Sequence, residues 1–464
     1  MAKTGCNLTD KKVLIMGLGR FGGGLDGARF ASQAGARVVV TDLAAQERLG
    51  DSVEQLRELE NVELHLGRHE PDDFATADIV VVNPAVPPNN EFLQIARKHD
   101  KLITSQIELF FQMCSAQTVG ITGANGKSTT TALTAHLLEK AKPAGDRGAY
   151  ENVWLGGNIG NRPLLASLDQ IGPRDVVVLE LSSFQLEQLA QIQAAPHVAL
   201  LTNLTPNHLD RHGTFEAYCA AKENIFRFQQ VREDARPVSI FNAEDPIAMR
   251  WYDKYAQQGG RRCVKYSADE VSDEIREGFP LPGRANLSNL AGAITTARQF
   301  GVADRAIAAA LPDFKSLPHR LELVTIKNGV RWYNDSIATT PQSAIVALEA
   351  FDEPKIIIAG GYDKKLPFDE LGQKIARRAK AAVLMGQTAD KIASAIRAAL
   401  PDPSQLPIER ASSLAQAVDI AGRLADPGDV VLLSPACASY DMFDNFQQRG
   451  RMFADLVRNA REGL

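Results

Sequence analysis

Short apolar runs alternate with helix-like segments and with polar or glycine-rich turns along the whole chain. Runs of about 4–8 apolar residues are typical of strands buried on both faces of a parallel sheet. The predicted strands are 11–16, 37–42, 77–83, 102–104, 175–183, 197–203, 331–336, 355–361 and 429–434. Helical spacing of apolar residues predicts helices at 28–34, 91–99, 215–226 and 290–297, and around Phe443, Phe446 and Phe453. The pattern predicts an α/β protein built from repeated strand–helix units.

The chain is too long for a single hydrophobic core. It has 464 residues, and a domain holds on the order of 150 residues. Changes in the pattern near residues 105 and 316 suggest the domain boundaries. We therefore expect three α/β domains, 1–105, 106–316 and 317–464.

A glycine-rich turn in the central domain is the strongest chemical signal. The segment 123–129 reads Gly-Ala-Asn-Gly-Lys-Ser-Thr, between a short apolar strand and a helix-like run. Bare backbone N–H groups and the positive end of the helix would face an anion there. Lys127 would contact the outer phosphates of ATP or GTP, and the Ser128 or Thr129 hydroxyl would hold Mg²⁺. Only two residues separate the glycines, so a turn without nucleotide remains an alternative.

A second glycine pattern lies near the N-terminus. Gly17, Gly19 and Gly22 follow a predicted strand, and Asp42 ends the next one. This arrangement is typical of a dinucleotide-binding unit, in which Asp42 would meet a ribose hydroxyl. The same turn can hold any pyrophosphate, so a nicotinamide cofactor is an alternative rather than a conclusion.

Three further residues of the central domain suggest metal or acid–base chemistry. Glu180 lies near the end of a predicted strand, where a carboxylate could hold Mg²⁺ or merely cap the sheet. His208 follows the next strand, in a loop that also carries Asp210. Lys222 interrupts an apolar helix face, so it either extends to solvent or is held inward, where desolvation would lower its pKa.

Polar groups also gather at predicted turns farther along the chain. Asn286 and Asn289 open a helix of small residues, and predicted strands of the third domain end near Asp335, Lys364 and Ser434. Such groups at the carboxyl edge of a parallel sheet favour anion binding. We expect a substrate held between domains.

The overall charge excludes two classes of function. The net charge is −5, which gives no basic footprint for nucleic acid or an anionic membrane. No run approaches the roughly 18 apolar residues of a membrane span, and five scattered cysteines form no CxxC pair. We expect a cytoplasmic enzyme.

Seven motifs together resemble the Mur ligase family of peptidoglycan synthesis, in the family's order and across nearly the whole chain. They occupy residues 123–129, 156–160, 180–186, 207–210, 317–320, 334–336 and 434–439. The resemblance implies a Rossmann-like UDP-binding N-terminal domain, a P-loop ATPase-like central domain and a Rossmann-like C-terminal domain that binds the amino acid and closes on ATP. We expect a monomer.

The resemblance further implies roles for individual residues. ATP would be bound by Gly123, Asn125, Gly126, Lys127, Ser128, Thr129, Asn286, Asn289, Arg320 and Asp335. Two Mg²⁺ ions would be held by Ser128, Glu180, His208 and a carbamylated Lys222. The sugar nucleotide and the amino acid would be contacted by Asp42, Asn158, His208, Thr339, Lys364, Ser439, Tyr440 and Phe446. Catalysis would depend on Lys127, His208, Lys222 and Asp335.

The implied reaction is an ATP-dependent ligation of glutamate to UDP-N-acetylmuramoyl-L-alanine through an acyl phosphate and a tetrahedral intermediate. D-glutamate is favoured over the L isomer. The alternatives from other classes are a nicotinamide-dependent oxidoreductase and a non-catalytic P-loop protein. The chain departs from the family pattern at Ile337, where a lysine is common, at Asn207, where an acid is common, and at Arg20-Phe21 and 83–85.

Overall fold

The computed structural model describes residues 7–19, 22–143, 150–159, 164–230 and 236–459. These described residues form three sheets. The chain divides into two compact units, one formed by residues 1–275 and 288–311 and the other by residues 276–287 and 312–464. Within the described residues, no helix combines the length and the apolar character needed to cross a membrane.

The first sheet is wholly parallel and has the strand order β3-β2-β1-β4-β5. Its strands are β1 (Lys12–Met16), β2 (Arg37–Asp42), β3 (Val62–Leu66), β4 (Ile79–Val82) and β5 (Leu102–Thr104). Its helices are α1 (Gly23–Gln33), α2 (Gln46–Leu56), α3 (Pro71–Thr76), α4 (Glu91–Lys98) and α5 (Gln106–Met113). The order reverses beside β1, and this is where doubly wound sheets bind ligands.

The second sheet is also parallel and has the order β11-β10-β9-β6-β8-β7. Its strands are β6 (Gln117–Thr122), β7 (Val153–Gly157), β8 (Val176–Glu180), β9 (Val198–Leu201), β10 (Val238–Asn242) and β11 (Arg262–Tyr266). Helices between residues 127 and 310 are α6 (Lys127–Lys140), α7 (Ser183–Gln191), α8 (Leu209–His212), α9 (Phe215–Arg227), α10 (Pro246–Ala256), α11 (Asp273–Glu277), α12 (Arg284–Arg298) and α13 (Asp304–Ala310). Short 3₁₀ helices cover Leu165–Gln170, Ala268–Glu270 and Leu311–Asp313.

The third sheet has the order β12-β13-β17-β14-β15-β16, and its edge strand β12 is antiparallel to β13. Its strands are β12 (Glu322–Lys327), β13 (Val330–Asn334), β14 (Lys355–Ala359), β15 (Ala381–Leu384), β16 (Ile408–Arg410) and β17 (Val430–Leu433). Its helices are α14 (Pro341–Glu349), α15 (Asp369–Arg378), α16 (Ala389–Ala399), α17 (Leu414–Leu424) and α18 (Phe446–Asn459), with a 3₁₀ helix at Pro403–Gln405.

Three predicted helices differ from the observed ones at their N-terminal ends. The helix α1 begins at Gly23 because Gly22, in the left-handed conformation at φ 78°, turns the chain directly into it. The helix α12 begins at Arg284, six residues before the apolar run that predicted it. Phe443 lies outside α18, in a turn where its backbone N–H donates to the carbonyl oxygen of Ser439 at 2.8 Å. Apolar spacing marks the buried part of a helix and not its polar first turn.

Candidate active site

The central glycine turn joins β6 to α6 and is held in shape by the neighbouring strand β9. Thr202, just after β9, donates its hydroxyl to the carbonyl oxygen of Asn125 at 2.6 Å. The carbonyl oxygen of Asn203 accepts the N–H of Ala124 at 2.7 Å, and its side-chain oxygen accepts the N–H of Asn125 at 3.0 Å. These contacts fix the turn at the N-terminus of α6, where backbone N–H groups and the helix dipole favour an anion.

Lys127 is the first residue of α6 and folds back over the turn. Its ammonium group donates to the carbonyl oxygen of Ala124 at 2.9 Å. A lysine in this position supplies a compact positive charge at the mouth of the turn. The geometry is therefore suited to a polyphosphate.

Gly126 must remain a glycine for both conformational and steric reasons. Its φ is +81°, and a β carbon there would lie 2.1 Å from the side-chain oxygen of Asn289. We expect Gly126→Ala to weaken ATP binding by about tenfold or more, because relieving this clash must shift the turn whose backbone N–H groups would face the phosphates. Calorimetric titration with MgATP would measure this.

Gly67→Ala is the matched control for that variant. Gly67 has φ +89°, but nothing lies within 4 Å of the place that a β carbon would occupy. Alanine at position 67 therefore has the strained left-handed backbone but no steric clash. We expect the ATP affinity of this variant to equal that of the wild type. Equal affinities for all three proteins would contradict the assignment of the turn.

Glu180, the last residue of β8, lies beside the turn with both carboxylate oxygens engaged. One oxygen accepts the Ser128 hydroxyl at 2.6 Å, and the other accepts the side-chain amide of Asn158 at 3.1 Å. Its side chain is buried. Carboxylate and hydroxyl oxygens are the donors that Mg²⁺ prefers, and Mg²⁺ commonly completes its shell with water and substrate phosphates. In the described part of the chain, no cluster of three or more His, Cys, Asp or Glu side chains could hold a metal unaided.

Lys222 points inward from α9, which is one of the two alternatives that the sequence allowed. Only 1% of it is exposed. Its ammonium nitrogen donates to the Thr122 hydroxyl at 3.1 Å and lies 5.0 Å from the centre of the Tyr218 ring. Burial, reinforced by the charge of Lys127, lowers its pKa well below the usual value. Burial thus favours the neutral, nucleophilic amine relative to the ammonium form.

His208 lies in the loop after β9, in the left-handed conformation at φ 52°. Desolvation of the ring and the charges of Lys127 and Lys222 lower its pKa, which favours the neutral imidazole. Its backbone N–H donates to the side-chain oxygen of Asn207 at 2.9 Å, so the amide at position 207 has a local structural role. Asp210 is exposed.

His212 supports the same loop and was not predicted. Its ring contacts the Ser183 hydroxyl at 2.9 Å and stacks on Phe184 with 5.4 Å between centroids. Desolvation lowers its pKa. A histidine four residues after His208 is the only signal in the sequence that could have identified it.

The glycine turn of the first domain is braced by Asp42. Its carboxylate accepts the N–H of Gly19 at 3.1 Å and that of Ala44 at 2.8 Å. Asn83 lies against the turn, with its side-chain amide 3.5 Å from the carbonyl oxygen of Gly17. The departures at Arg20 and Phe21, and Gly160 of the motif at 156–160, lie outside the described residues.

Asp335 follows β13 in the C-terminal unit and is buried. It accepts the Ser434 hydroxyl at 2.8 Å and the N–H of Leu321 at 3.3 Å. Burial raises its pKa to about 7, although these hydrogen bonds and the charges of Arg320 and Arg449 act in the opposite direction. Arg320 therefore lies near enough to Asp335 for its charge to act on that carboxyl group.

The raised pKa of Asp335 predicts a pH-dependent cost in stability. The unfolded chain ionises this group near its ordinary pKa of 3.8, whereas the folded protein does so near 7. Stability from this group is thus highest at low pH and falls as the pH rises from about 4 to about 7. Asp335→Asn should raise the free energy of unfolding by about 1–3 kcal/mol at pH 8.

That gain should shrink by pH 5, where the wild-type carboxyl is protonated in the fold. Thermal unfolding of both proteins at pH 5 and pH 8 would measure the difference. An equal difference at the two pH values would show that Asp335 is not the titrating group.

The residues expected to contact the amino acid also belong to the C-terminal unit. Ser439 is buried, Thr339 is half-buried, and Lys364 and Tyr440 are exposed. Partial desolvation of its ammonium group lowers the pKa of Lys364. The Tyr440 ring makes an edge contact with Tyr362 at 6.1 Å, and Phe446 begins α18.

Arg449 of α18 organises these segments and was not predicted. It is fully buried, and its guanidinium donates to the Ser336 carbonyl oxygen at 2.8 Å and to the Cys437 carbonyl oxygen at 3.2 Å. Burial lowers its pKa to about 10. A buried arginine bonded to two loops acts as a support, and the Gln-Arg-Gly context contains no signal for it.

The predicted residues thus form separate groups. Around the central turn the structure brings together Asn125, Lys127, Ser128, Asn158, Glu180, His208, Lys222 and Asn289, the last through the Thr130 hydroxyl at 3.3 Å. Thr129 is buried in the first turn of α6. Asp42 belongs to the turn of the first domain. Asn286, whose side chain donates to the carbonyl oxygen of Pro282 at 2.7 Å, belongs to the C-terminal unit with Arg320 and Asp335.

Three family models match successive parts of the chain. The "Mur ligase MurD-like, N-terminal domain" matches residues 11–105, the "Mur ligase middle domain" residues 121–297, and the "Mur ligase, glutamate ligase domain" residues 319–437.

Named relatives match over nearly the full length. A UDP-N-acetylmuramoylalanine--D-glutamate ligase of Roseiflexus sp. is 41% identical over 97% of this chain and 99% of its own. Proteins of the same name from Symbiobacterium thermophilum and Acidobacterium capsulatum are 37% and 38% identical, over 92% and 97% of this chain and 94% and 96% of their own.

Solved structures share the fold at low identity. MurF from Acinetobacter baumannii aligns with a TM-score of 0.57 at 16% identity over 91% of both chains. The MurF ligase of Thermotoga maritima, solved with ADP, aligns with a TM-score of 0.56 at 17% identity over 98% of this chain and 99% of that one.

Proposed function

This chain belongs to the Mur ligase family, and from that premise we propose how its residues carry out the ATP-dependent joining of D-glutamate to UDP-N-acetylmuramoylalanine. The reaction is that of the named relatives. The observation that carries the proposal is the cluster at the carboxyl edge of β6 and β8, where Lys127, the Ser128–Glu180 pair and the buried Lys222 meet. Neither a nicotinamide-dependent oxidoreductase nor a non-catalytic P-loop protein accounts for that cluster.

The glycine turn binds ATP in this proposal. The backbone N–H groups of 123–126 and the charge of Lys127 hold the phosphates. The alanyl carboxylate of the UDP-sugar attacks the γ-phosphorus, ADP leaves, and an acyl phosphate forms. The amine of glutamate then attacks the acyl carbon, and inorganic phosphate leaves from the tetrahedral intermediate. Negative charge develops on phosphoryl and acyl oxygens in both steps, so fixed cations supply most of the acceleration.

Mg²⁺ fits the oxygen donors at Ser128 and Glu180, and it would neutralise phosphate charge when bound. We propose that Lys222 is N-carboxylated and provides a second anionic donor, with His208 beside it. Its neutral amine would attack carbon dioxide, form a nitrogen–carbon bond and release one proton. The support for this step is the burial of Lys222 and its lowered pKa.

The remaining residues are assigned to the other ligands. In the proposal Asp42 braces the turn for the uridine diphosphate, and Asn158 contacts the sugar nucleotide. Nucleotide contacts beyond the turn come from Asn286, Asn289, Arg320 and Asp335. The glutamate pocket draws on Thr339, Lys364, Ser439, Tyr440 and Phe446. The domain limits 1–105, 106–316 and 317–464, the monomeric state and the cytoplasmic location remain predictions.

An isomer-resolved ligation assay tests the function directly. ADP release is followed with UDP-N-acetylmuramoyl-L-alanine and either D- or L-glutamate, and with each substrate omitted. We expect release that requires both substrates and the D isomer. If ADP is released with the L isomer and not with the D isomer, the protein is an L-glutamate-adding ligase. If neither isomer gives ADP release, the ligase proposal is overturned.

A further inference from the structure

An acidic side chain of the first domain is buried against the central domain. Asp26 lies in the first turn of α1, directly after the glycine turn of the first domain. Its carboxylate accepts the backbone N–H of Leu165 at 2.9 Å and that of Ala166 at 3.1 Å. These two residues begin the 3₁₀ helix Leu165–Gln170 of the central domain. Asp26 therefore caps a helix that belongs to another domain.

The contact is better suited to fixing a position than to adding stability. Asp26 is 7% exposed, and burial raises its pKa despite the two backbone hydrogen bonds and the charge of Arg29. Because the ionised form is disfavoured relative to water, an apolar side chain at this position would cost less to bury. A carboxylate with two oxygens directed at two adjacent N–H groups instead defines one register between α1 and the 3₁₀ helix.

The two domains have other direct contacts, but these are weaker in geometry. Arg211 donates to the carbonyl oxygen of Val86 at 3.1 Å, and Gln188 donates to that of Val82 at 3.4 Å. Each of these carbonyl oxygens accepts from one side chain. Asp26 differs from these residues because it is buried and accepts one hydrogen bond at each of its two carboxyl oxygens.

We propose that the Asp26 clasp, meaning the hydrogen bonds of Asp26 to Leu165 and Ala166, positions the sugar-nucleotide substrate relative to the γ-phosphate. The inference rests on the proposed function. In that function the uridine diphosphate binds at the glycine turn of the first domain, and α1 directly follows this turn. Asn158 binds the same substrate, and it lies seven residues before the 3₁₀ helix in the sequence. The clasp thus sets the distance between the two halves of one substrate site. Asp26 is a positioning residue and touches no reacting atom.

The experiment compares Asp26→Asn with Glu47→Gln. Both changes remove one negative charge from the first domain, but Glu47 is exposed on α2. The Asn variant keeps the shape, yet its NH₂ group opposes one of the two backbone donors. We expect the KM for UDP-N-acetylmuramoyl-L-alanine to rise about tenfold in Asp26→Asn. The KM for ATP should stay unchanged, and Glu47→Gln should behave as the wild type.

A purely structural role would lower the amount of active protein and leave both KM values unchanged. That result, or an equal rise in both KM values, would overturn the proposal that the Asp26 clasp positions the substrate. A wild-type protein that ligates nothing would instead count against the proposed function. In that case hydrogen exchange of the Leu165 and Ala166 amides still tests the contact, because exchange should be about tenfold faster in Asp26→Asn.

If the Asn variant does not fold, the same amides are measured in the wild-type protein. Exchange at Leu165 and Ala166 should slow when UDP-N-acetylmuramoyl-L-alanine is added and should not slow with ATP alone. Exchange that is indifferent to the sugar nucleotide would overturn the proposal.

Discussion

Lys222→Ala should lower the rate of ADP release by at least about 10³-fold under saturating substrates. The side chain lies buried beside the phosphate turn with its pKa held low, and in the proposed function it carries an anionic metal donor. Alanine removes the nitrogen on which that donor forms. Arginine at the same position should not restore activity, because a guanidinium remains charged and does not form the carbamate.

Small carboxylic acids offer a direct test of the carbamate. Formate or acetate can place a carboxylate in the space that Lys222→Ala opens, so we expect partial recovery of the rate that depends on acid concentration. The absence of recovery would indicate that the lysine acts as a bare amine. Activity of the variant near the wild-type level would remove Lys222 from the mechanism.

Lys355→Ala is the matched control. Lys355 is also buried with a lowered pKa caused by desolvation, and its ammonium group donates to the carbonyl oxygen of Arg378 at 3.3 Å. It belongs to β14 and has no assigned role. We expect its variant to change thermal stability but to keep the turnover number, which separates the loss of a buried lysine from the loss of chemistry.

Glu180→Gln should lower turnover by about 10²-fold and raise the Mg²⁺ concentration needed for half-maximal rate. The substitution preserves the shape and can keep the contacts with Ser128 and Asn158. It removes only the negative charge that favours a cation beside the phosphates. ADP release measured over a range of Mg²⁺ concentrations would show the change.

Glu151→Gln serves as the control for the Glu180 variant. Glu151 is an exposed acid of the same domain, 3.2 Å from Arg174. Its variant should keep the wild-type dependence on Mg²⁺. Identical magnesium curves for Glu180→Gln and the wild type would exclude Glu180 as a metal donor.

Much of the fold follows from local sequence because the central strands are buried on both faces. The strands β4, β8, β14 and β17 are apolar at nearly every position and were predicted within a few residues. The strands β3, β7, β12, β15 and β16 were not predicted. Of these, β3 and β12 lie at sheet edges and are half-exposed, with polar residues between apolar ones. Their identity depends on the neighbouring strand, which a local pattern does not contain.

The candidate site likewise contains some residues that the sequence predicts and others that it does not. Lys222 could be predicted to point inward because it interrupts an apolar helix face. Its partner Thr122 could not, since the two residues are 100 positions apart and meet only through the fold. The role of Asp26 could not be predicted, because an acidic residue after a glycine-rich segment is typical of any helix start. Only the fold shows that Leu165 donates to its carboxylate. Motifs thus predicted the residues that we propose to act, and the structure identified the side chains that contact them.

The hold that β9 exerts on the phosphate turn has a kinetic consequence. Thr202 and Asn203 fix the backbone around Asn125 through contacts within the chain itself. The phosphate-binding turn is therefore already formed before the triphosphate binds and does not have to refold around it. The association rate of the nucleotide is then governed by diffusion and electrostatic attraction. This rate should fall as ionic strength rises, and it should vary little with solvent conditions that change the flexibility of the chain.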